Sequence, residues 1–93
     1  MDFEWDEEKS ARCFESRGFD FAYAALVFSD PDRVVLEDTR FEYGEDRYMS
    51  VGRIDGRLFF IVYTPRGGLI RIISARKANA RETKRYETGS HDN

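Results

Sequence analysis

The chain has one cysteine, one histidine and no long apolar run. Each scarcity removes a class of protein. With Cys13 alone no internal disulfide can form, and a reducing, cytoplasmic location fits. Cys13 falls in a helical pattern with no histidine near it and reads as structural. The single histidine, His91, sits in the C-terminal tail. That argues against a Ser-His-Asp triad, a Cys-His dyad, a two-histidine nuclease and a zinc site built on His or Cys. No stretch approaches the roughly 18–20 apolar residues needed to span a bilayer, so no membrane association is expected. The opening MDFEWDEEK is acidic and unlike a signal peptide. No P-loop or dinucleotide fingerprint occurs, and Arg66-Gly67-Gly68 reads as a hairpin rather than a phosphate cradle. No cofactor is expected. A carboxylate magnesium site drawn from Asp30, Asp32, Asp38, Glu42, Glu45 or Asp46 stays open, although these acids lack a ligand-loop spacing.

What is present is a globular composition: 41% hydrophobic and 15% aromatic residues are too many for a disordered chain. Ninety-three residues suggest one domain over 1–88, followed by a flexible tail, 89–93. The net charge is −3, but it is unevenly divided. Residues 1–46 carry 14 acids against 5 bases, and residues 47–93 carry 4 against 10. A fold that separates the halves acquires a basic face, which suggests phosphate; solvated charge without a partner is the alternative.

Phe3 and Trp5 alternate with acids, as on a short strand. Asp6 can cap a first helix, with Ala11, Phe14 and Cys13 on its apolar side and Gly18 as its stop. Asp20 can cap a second, FAYAALVF, which Ser29-Asp30-Pro31-Asp32 ends. Strands follow at 33–37, 48–54, 57–64 and 69–75, with an acidic loop over 38–46. Asp55-Gly56 and Pro65-Arg66-Gly67-Gly68 supply the tight turns. Asn79 and Glu82 fit a capping box that opens a last helix, 80–87. The expected fold is α+β, an antiparallel sheet with two N-terminal helices and one C-terminal helix. Its order is β-α-α-β-β-β-α, with a short N-terminal strand before a three- to four-strand meander.

With histidine and metal clusters scarce, the available chemistry is that of arginine, lysine, tyrosine and glutamate. That set is enough to cleave RNA, whose 2′-hydroxyl is a built-in nucleophile. Arginine forks suit phosphate oxygens. In the strand 69–75, simple alternation points Arg71 with Leu69, Ile73 and Ala75, and Arg76 to the opposite face. Arg71 among apolar neighbours needs a partner, either an acid of the N-terminal half or a phosphate. The candidate catalytic residues are Arg71, Arg76, Glu82 and Tyr86, the last two as proton carriers; Glu82 also has its capping task, and Tyr86 has a packing alternative. Arg47, Arg53, Arg66, Lys77, Arg81 and Arg85 are the candidate RNA-binding residues.

The ordered series Phe3-Glu4-Trp5-Asp6 with Lys9 and Gly18, Glu45-Asp46-Arg47-Tyr48 leading to Gly52, Thr64-Pro65-Arg66, and RIISARKA followed by Glu82 and Tyr86 resembles BrnT-type toxins. The resemblance runs from about Phe3 to Tyr86. It implies a type II toxin–antitoxin module, a RelE-like ribonuclease fold, RNA cleavage and arrested translation. It also implies a small DNA-binding antitoxin, a complex of two toxins with two antitoxins, and operon repression through operator DNA bound by that complex. The chain departs from the family pattern at Cys13, where asparagine is frequent, and at Ser16-Arg17, where lysine-histidine is frequent. Arg17 can hold phosphate but cannot serve as a base near pH 7. A rival reading is a non-catalytic module that acts through a protein partner. A stand-alone DNA-binding protein fits less well, because one basic helix after a sheet is not a helix-turn-helix.

Overall fold

The computed structural model describes residues 1–89. Asp6 does cap the first helix: its Oδ1 accepts from the backbone N–H of Glu8 at 2.9 Å and of Lys9 at 3.1 Å. Gly18, at φ 86°, ends it in a left-handed conformation that needs glycine. The elements are β1 (Asp2–Trp5), α1 (Glu7–Arg17), α2 (Phe21–Ala24) continuing as a 3₁₀ turn (Ala25–Ser29), β2 (Val34–Glu37), β3 (Tyr48–Ile54), β4 (Arg57–Arg66), β5 (Leu69–Lys77) and α3 (Ala80–Gly89). The class is α+β, with one five-stranded sheet ordered β1-β5-β4-β3-β2. Asp55 and Gly56 both take positive φ, 50° and 83°, which matches the twist of the β3–β4 hairpin. The expected tail begins inside α3, which reaches Gly89; His91 lies outside the described residues.

Three expectations need correcting. The sheet is mixed, because β1 runs parallel to β5, with Asp2 beside Leu69 and Trp5 beside Ile72. The helices and the rest of the sheet separate these two strands in sequence, and a connection that long permits parallel pairing. The strand at Val34–Glu37 pairs antiparallel with β3 and makes the meander four strands long, so the order holds one strand more than β-α-α-β-β-β-α. Finally, α1 buries Ser10 and Cys13, while Phe14 is 58% exposed. Ser10 is drawn inward because its Oγ accepts the backbone N–H of Phe21 at 3.0 Å. Cys13 donates its thiol to the Ala75 carbonyl at 3.6 Å.

The central strand β4 is apolar on both faces. Phe59, Ile61 and Tyr63 pack under α1, α2 and the 3₁₀ turn, with Ile72 and Ala75 of β5 beside them. Phe60 and Val62 face α3 with Val51 and Tyr86. The pairing of β4 with β5 shifts between Val62 and Tyr63: Tyr63 faces Ile72, but Val62 faces Ser74. Ile73 is therefore an extra residue, a β-bulge. Thr64, Val62 and Phe60 lie on one face, so their partners Arg71, Ser74 and Arg76 do too. Simple alternation had put Arg71 and Arg76 on opposite faces.

The 3₁₀ turn sits directly on β3. A Cβ added at Gly52 would stand 2.6 Å from Val27 Cγ1 and 3.2 Å from the Val27 carbonyl oxygen. Gly52→Ala should therefore destabilise the protein by about 1–3 kcal/mol through overpacking. Urea denaturation monitored by circular dichroism measures this; an unchanged midpoint would show that the turn is free to lift.

Candidate active site

The capping box at the start of α3 forms as expected. Asn79 Oδ1 accepts from the Glu82 N–H at 2.9 Å, and Glu82 Oε1 accepts from the Asn79 N–H at 3.0 Å. The same carboxylate takes a two-pronged bond from Arg76, with Nη1 and Nη2 each at 2.8 Å. The Arg76 guanidinium lies over the Phe60 ring, 4.1 Å from its centroid. The exit of β5, the helix cap and the sheet face are thus tied together at one charge pair. Burial pushes the Glu82 carboxyl up, but the Arg76 fork and the Asn79 N–H outweigh it and hold the group below the ordinary glutamate value. Glu82 is an anion at neutral pH, and the Arg76 side chain is 38% exposed to solvent.

The other predicted residues do not gather into one surface. Arg71 shares the Arg76 face but is separated from it by four positions of β4, about 13 Å. It pairs instead across the parallel strands with Glu4, at 3.6 Å. Arg47 and Arg66 converge on Glu45, at 3.2 and 3.0 Å, and Arg47 lies 4.0 Å over the Tyr43 ring. These three arginines occupy the end of the sheet near the β4–β5 turn. Arg53, Arg76 and Lys77 occupy the other. Arg81 and Arg85 are exposed on α3, beside an apolar groove floored by Val34, Met49, Val51 and Phe60.

Tyr86 is only 7% exposed, and its hydroxyl donates to Asp30 Oδ2 at 2.8 Å. Asp30 also accepts the Arg53 N–H at 2.7 Å, and the Arg53 guanidinium stands 5.3 Å from the Tyr86 ring centroid. Burial first, and then the Asp30 carboxylate, raise the Tyr86 hydroxyl above its usual value. These contacts make Tyr86 a brace between α3 and the turn before β2. Sequence reasoning missed Phe60 and Glu45 as partners of the arginines, and it did not single out Glu4 among the N-terminal acids expected for Arg71. Each contact is set by cross-strand register or loop folding, which leaves no local signal.

A family model described as the ribonuclease toxin BrnT of type II toxin–antitoxin systems matches residues 5–82. The chain belongs to this family. The match ends at Glu82, so it spans Arg76 and its carboxylate partner but not Tyr86. No curated protein sequence matches the chain significantly. Membership in a type II toxin–antitoxin family implies a cognate antitoxin as partner. Among the described residues, no helix of this BrnT-family chain is long and apolar enough to cross a membrane.

The loop that carries Glu45 and Arg47 is pinned by Asp38, whose side chain is fully buried. It accepts from Arg40 Nε and Nη2, both at 2.8 Å, and from the Tyr43 hydroxyl at 3.1 Å. The Arg40 bonds hold the Asp38 carboxyl down at about 2, against the opposing effect of burial. Because the folded value lies below the unfolded one, the contribution is complete above roughly pH 4 and is lost as pH falls toward 2. Urea denaturation at pH 6, 4 and 3 should show wild type losing stability on the acid side, with Asp38→Asn losing less over the same interval. Parallel losses in the two proteins would assign the acid sensitivity elsewhere.

Proposed function

We propose that this BrnT-family chain is an endoribonuclease that works without a metal, on a fold we read as RelE-like. The observation that carries the reading is the Arg76–Glu82 pair at the exit of β5, inside the family match. An incoming phosphodiester competes with Glu82 for the Arg76 fork, whose planar donors fit phosphate as well as carboxylate. Arg76 then stabilises the charge that develops on the phosphate oxygens. The released Glu82 carboxylate accepts the 2′-hydroxyl proton, the 2′-oxygen bonds to phosphorus, and the bond to the 5′-oxygen breaks. That oxygen takes a proton from water, which leaves a 2′,3′-cyclic phosphate and a 5′-hydroxyl end.

Arg53, Lys77, Arg81 and Arg85 would draw RNA toward this end of the sheet. Arg47, Arg66 and Arg71 would act at a distance from the chemistry. The setting is cytoplasmic, and the output is arrested translation. The partner is a small DNA-binding antitoxin, two copies with two toxins, repressing the operon through operator DNA. An acidic, amphipathic antitoxin segment would silence the toxin by covering its basic surface.

One observation favours the rival, a non-catalytic module: Arg47, Arg66, Arg71 and Arg76 all have carboxylates of the same chain within 4.0 Å. Cleavage of RNA by purified protein in excess chelator, with end-group analysis, separates the two readings. Wild type should cut and leave cyclic phosphate ends. Arg76→Ala should lose about 10²–10³-fold in rate. Glu82→Gln keeps a side chain suited to the capping box yet should lose about 10²-fold or more as a base. Binding without cutting by well-folded wild type would support the module, and cutting that stops in chelator would overturn the metal-free mechanism.

Tyr86 serves this scheme as a brace rather than a proton carrier. Tyr86→Phe should lower stability by about 1 kcal/mol through the lost Asp30 bond while leaving the cleavage rate and its pH profile close to wild type. A collapse of rate with stability retained would return Tyr86 to the chemistry.

A further inference from the structure

Beside the arginines already neutralised inside the fold lies a set of cations that is not. A groove between α1 and β5 is lined by Lys9, Arg12 and Arg17 on one side and by Ser74, Ala75 and Arg76 on the other, with no carboxylate in its lining. It exists because β1 is short. β1 pairs with β5 only as far as Ile72, so the edge of β5 beyond that point faces α1. None of Lys9, Arg12 and Arg17 has a carboxylate within 4.0 Å among the described residues. Glu7, Glu8 and Glu15 share the helix but do not line the groove.

Arg17 also lines a second groove, which carries Phe14, Arg57 and Lys77. Arg76 lines the first groove and its neighbour Lys77 the second, so the two meet at the exit of β5. The acids here are engaged: Asp20 caps α2 through the Tyr23 N–H at 2.9 Å, and Asp55 accepts the Tyr23 hydroxyl at 3.1 Å. Phe14 is 58% exposed and contributes nothing to either core cluster. A bare aromatic ring among cations without a carboxylate inside 4.0 Å is the combination that single-stranded nucleic acids use, with phosphates on the charges and a base on the ring.

We propose that α1 forms the track for the RNA strand, with phosphates on Lys9, Arg12, Arg17 and Lys77 and one base stacked on Phe14. The proposal rests on the ribonuclease reading and adds to it the path of the substrate. The strand runs along α1 past the open edge of β5 and meets the Arg76–Glu82 pair there, with Arg81 and Arg85 as outlying charges. The track from Lys9 to Arg17 is about 12 Å long at the helical rise. An acidic peptide would find charges here but only one aromatic anchor.

The test is fluorescence anisotropy of a mixed-sequence 2′-O-methyl oligonucleotide, which has no free 2′-hydroxyl to react, over a salt series. Lys9, Arg12 and Phe14 are exposed, and alanine suits their helical positions. Lys9→Ala/Arg12→Ala should reduce the slope of log affinity against log salt by about 1.4, for two phosphates at roughly 0.7 each. Phe14→Ala should weaken binding about tenfold at every salt with the slope unchanged, and Phe14→Trp should restore it. Arg81→Ala/Arg85→Ala, on the neighbouring helix, should lower the slope less than the α1 pair does. If both α1 variants bind normally while wild type still cleaves RNA, the track is wrong and the nuclease reading stands. If wild type neither binds nor cleaves, both fail.

Discussion

One extra residue in β5 decides which side chains meet. Without the bulge at Ile73, strict alternation would send Arg71 and Arg76 to opposite sides of the sheet. With it, Ile72 and Ala75 both enter the helix-covered core, and Arg71, Ser74 and Arg76 share the face toward α3. Bulges re-aim side chains and sharpen the local twist. Here the re-aimed residue is the arginine whose fork reaches Glu82. The capping box then fixes that carboxylate from the other side, so the first turn of α3 is held by both its own backbone and the strand before it.

The uneven charge of the sequence has a different meaning in three dimensions. Four of the ten basic residues of the second half are answered by carboxylates: Glu4 for Arg71, Glu45 for Arg47 and Arg66, Glu82 for Arg76. Pairs this exposed add little stability, but they orient the guanidinium groups and keep them from a random search. The cations along α1 lack such partners although they belong to the acidic half of the chain. A count of charge by halves therefore misses three cations on α1 that have no carboxylate within 4.0 Å among the described residues.

What the sequence made legible was local. The Asp6 cap, the Gly18 stop, the Asp55-Gly56 turn and the Asn79–Glu82 box each depend on contacts within four residues, and all are present. The possibility that Arg71 pairs with an acid of the N-terminal half was also readable, because an arginine among apolar neighbours requires an opposite charge. The parallel β1–β5 pair and the bulge were not. Both arise from register between strands distant in sequence, for which periodicity carries no information. Phe14 misled because a phenylalanine in a helix is ordinarily core, and here Ser10 takes the inward position to satisfy the Phe21 N–H.

The parallel edge has a consequence for synthesis. Asp2 must wait for Leu69, and Cys13 for Ala75, before either finds its partner. The N-terminal strand and helix therefore emerge from the ribosome long before the strand that receives them. Contacts so far apart in sequence close late and slowly. The Arg76–Glu82 pair lies further along still. A nascent chain cannot assemble that pair until β5 and the first turn of α3 have both been made, so the part proposed to attack RNA closes after the rest of the sheet.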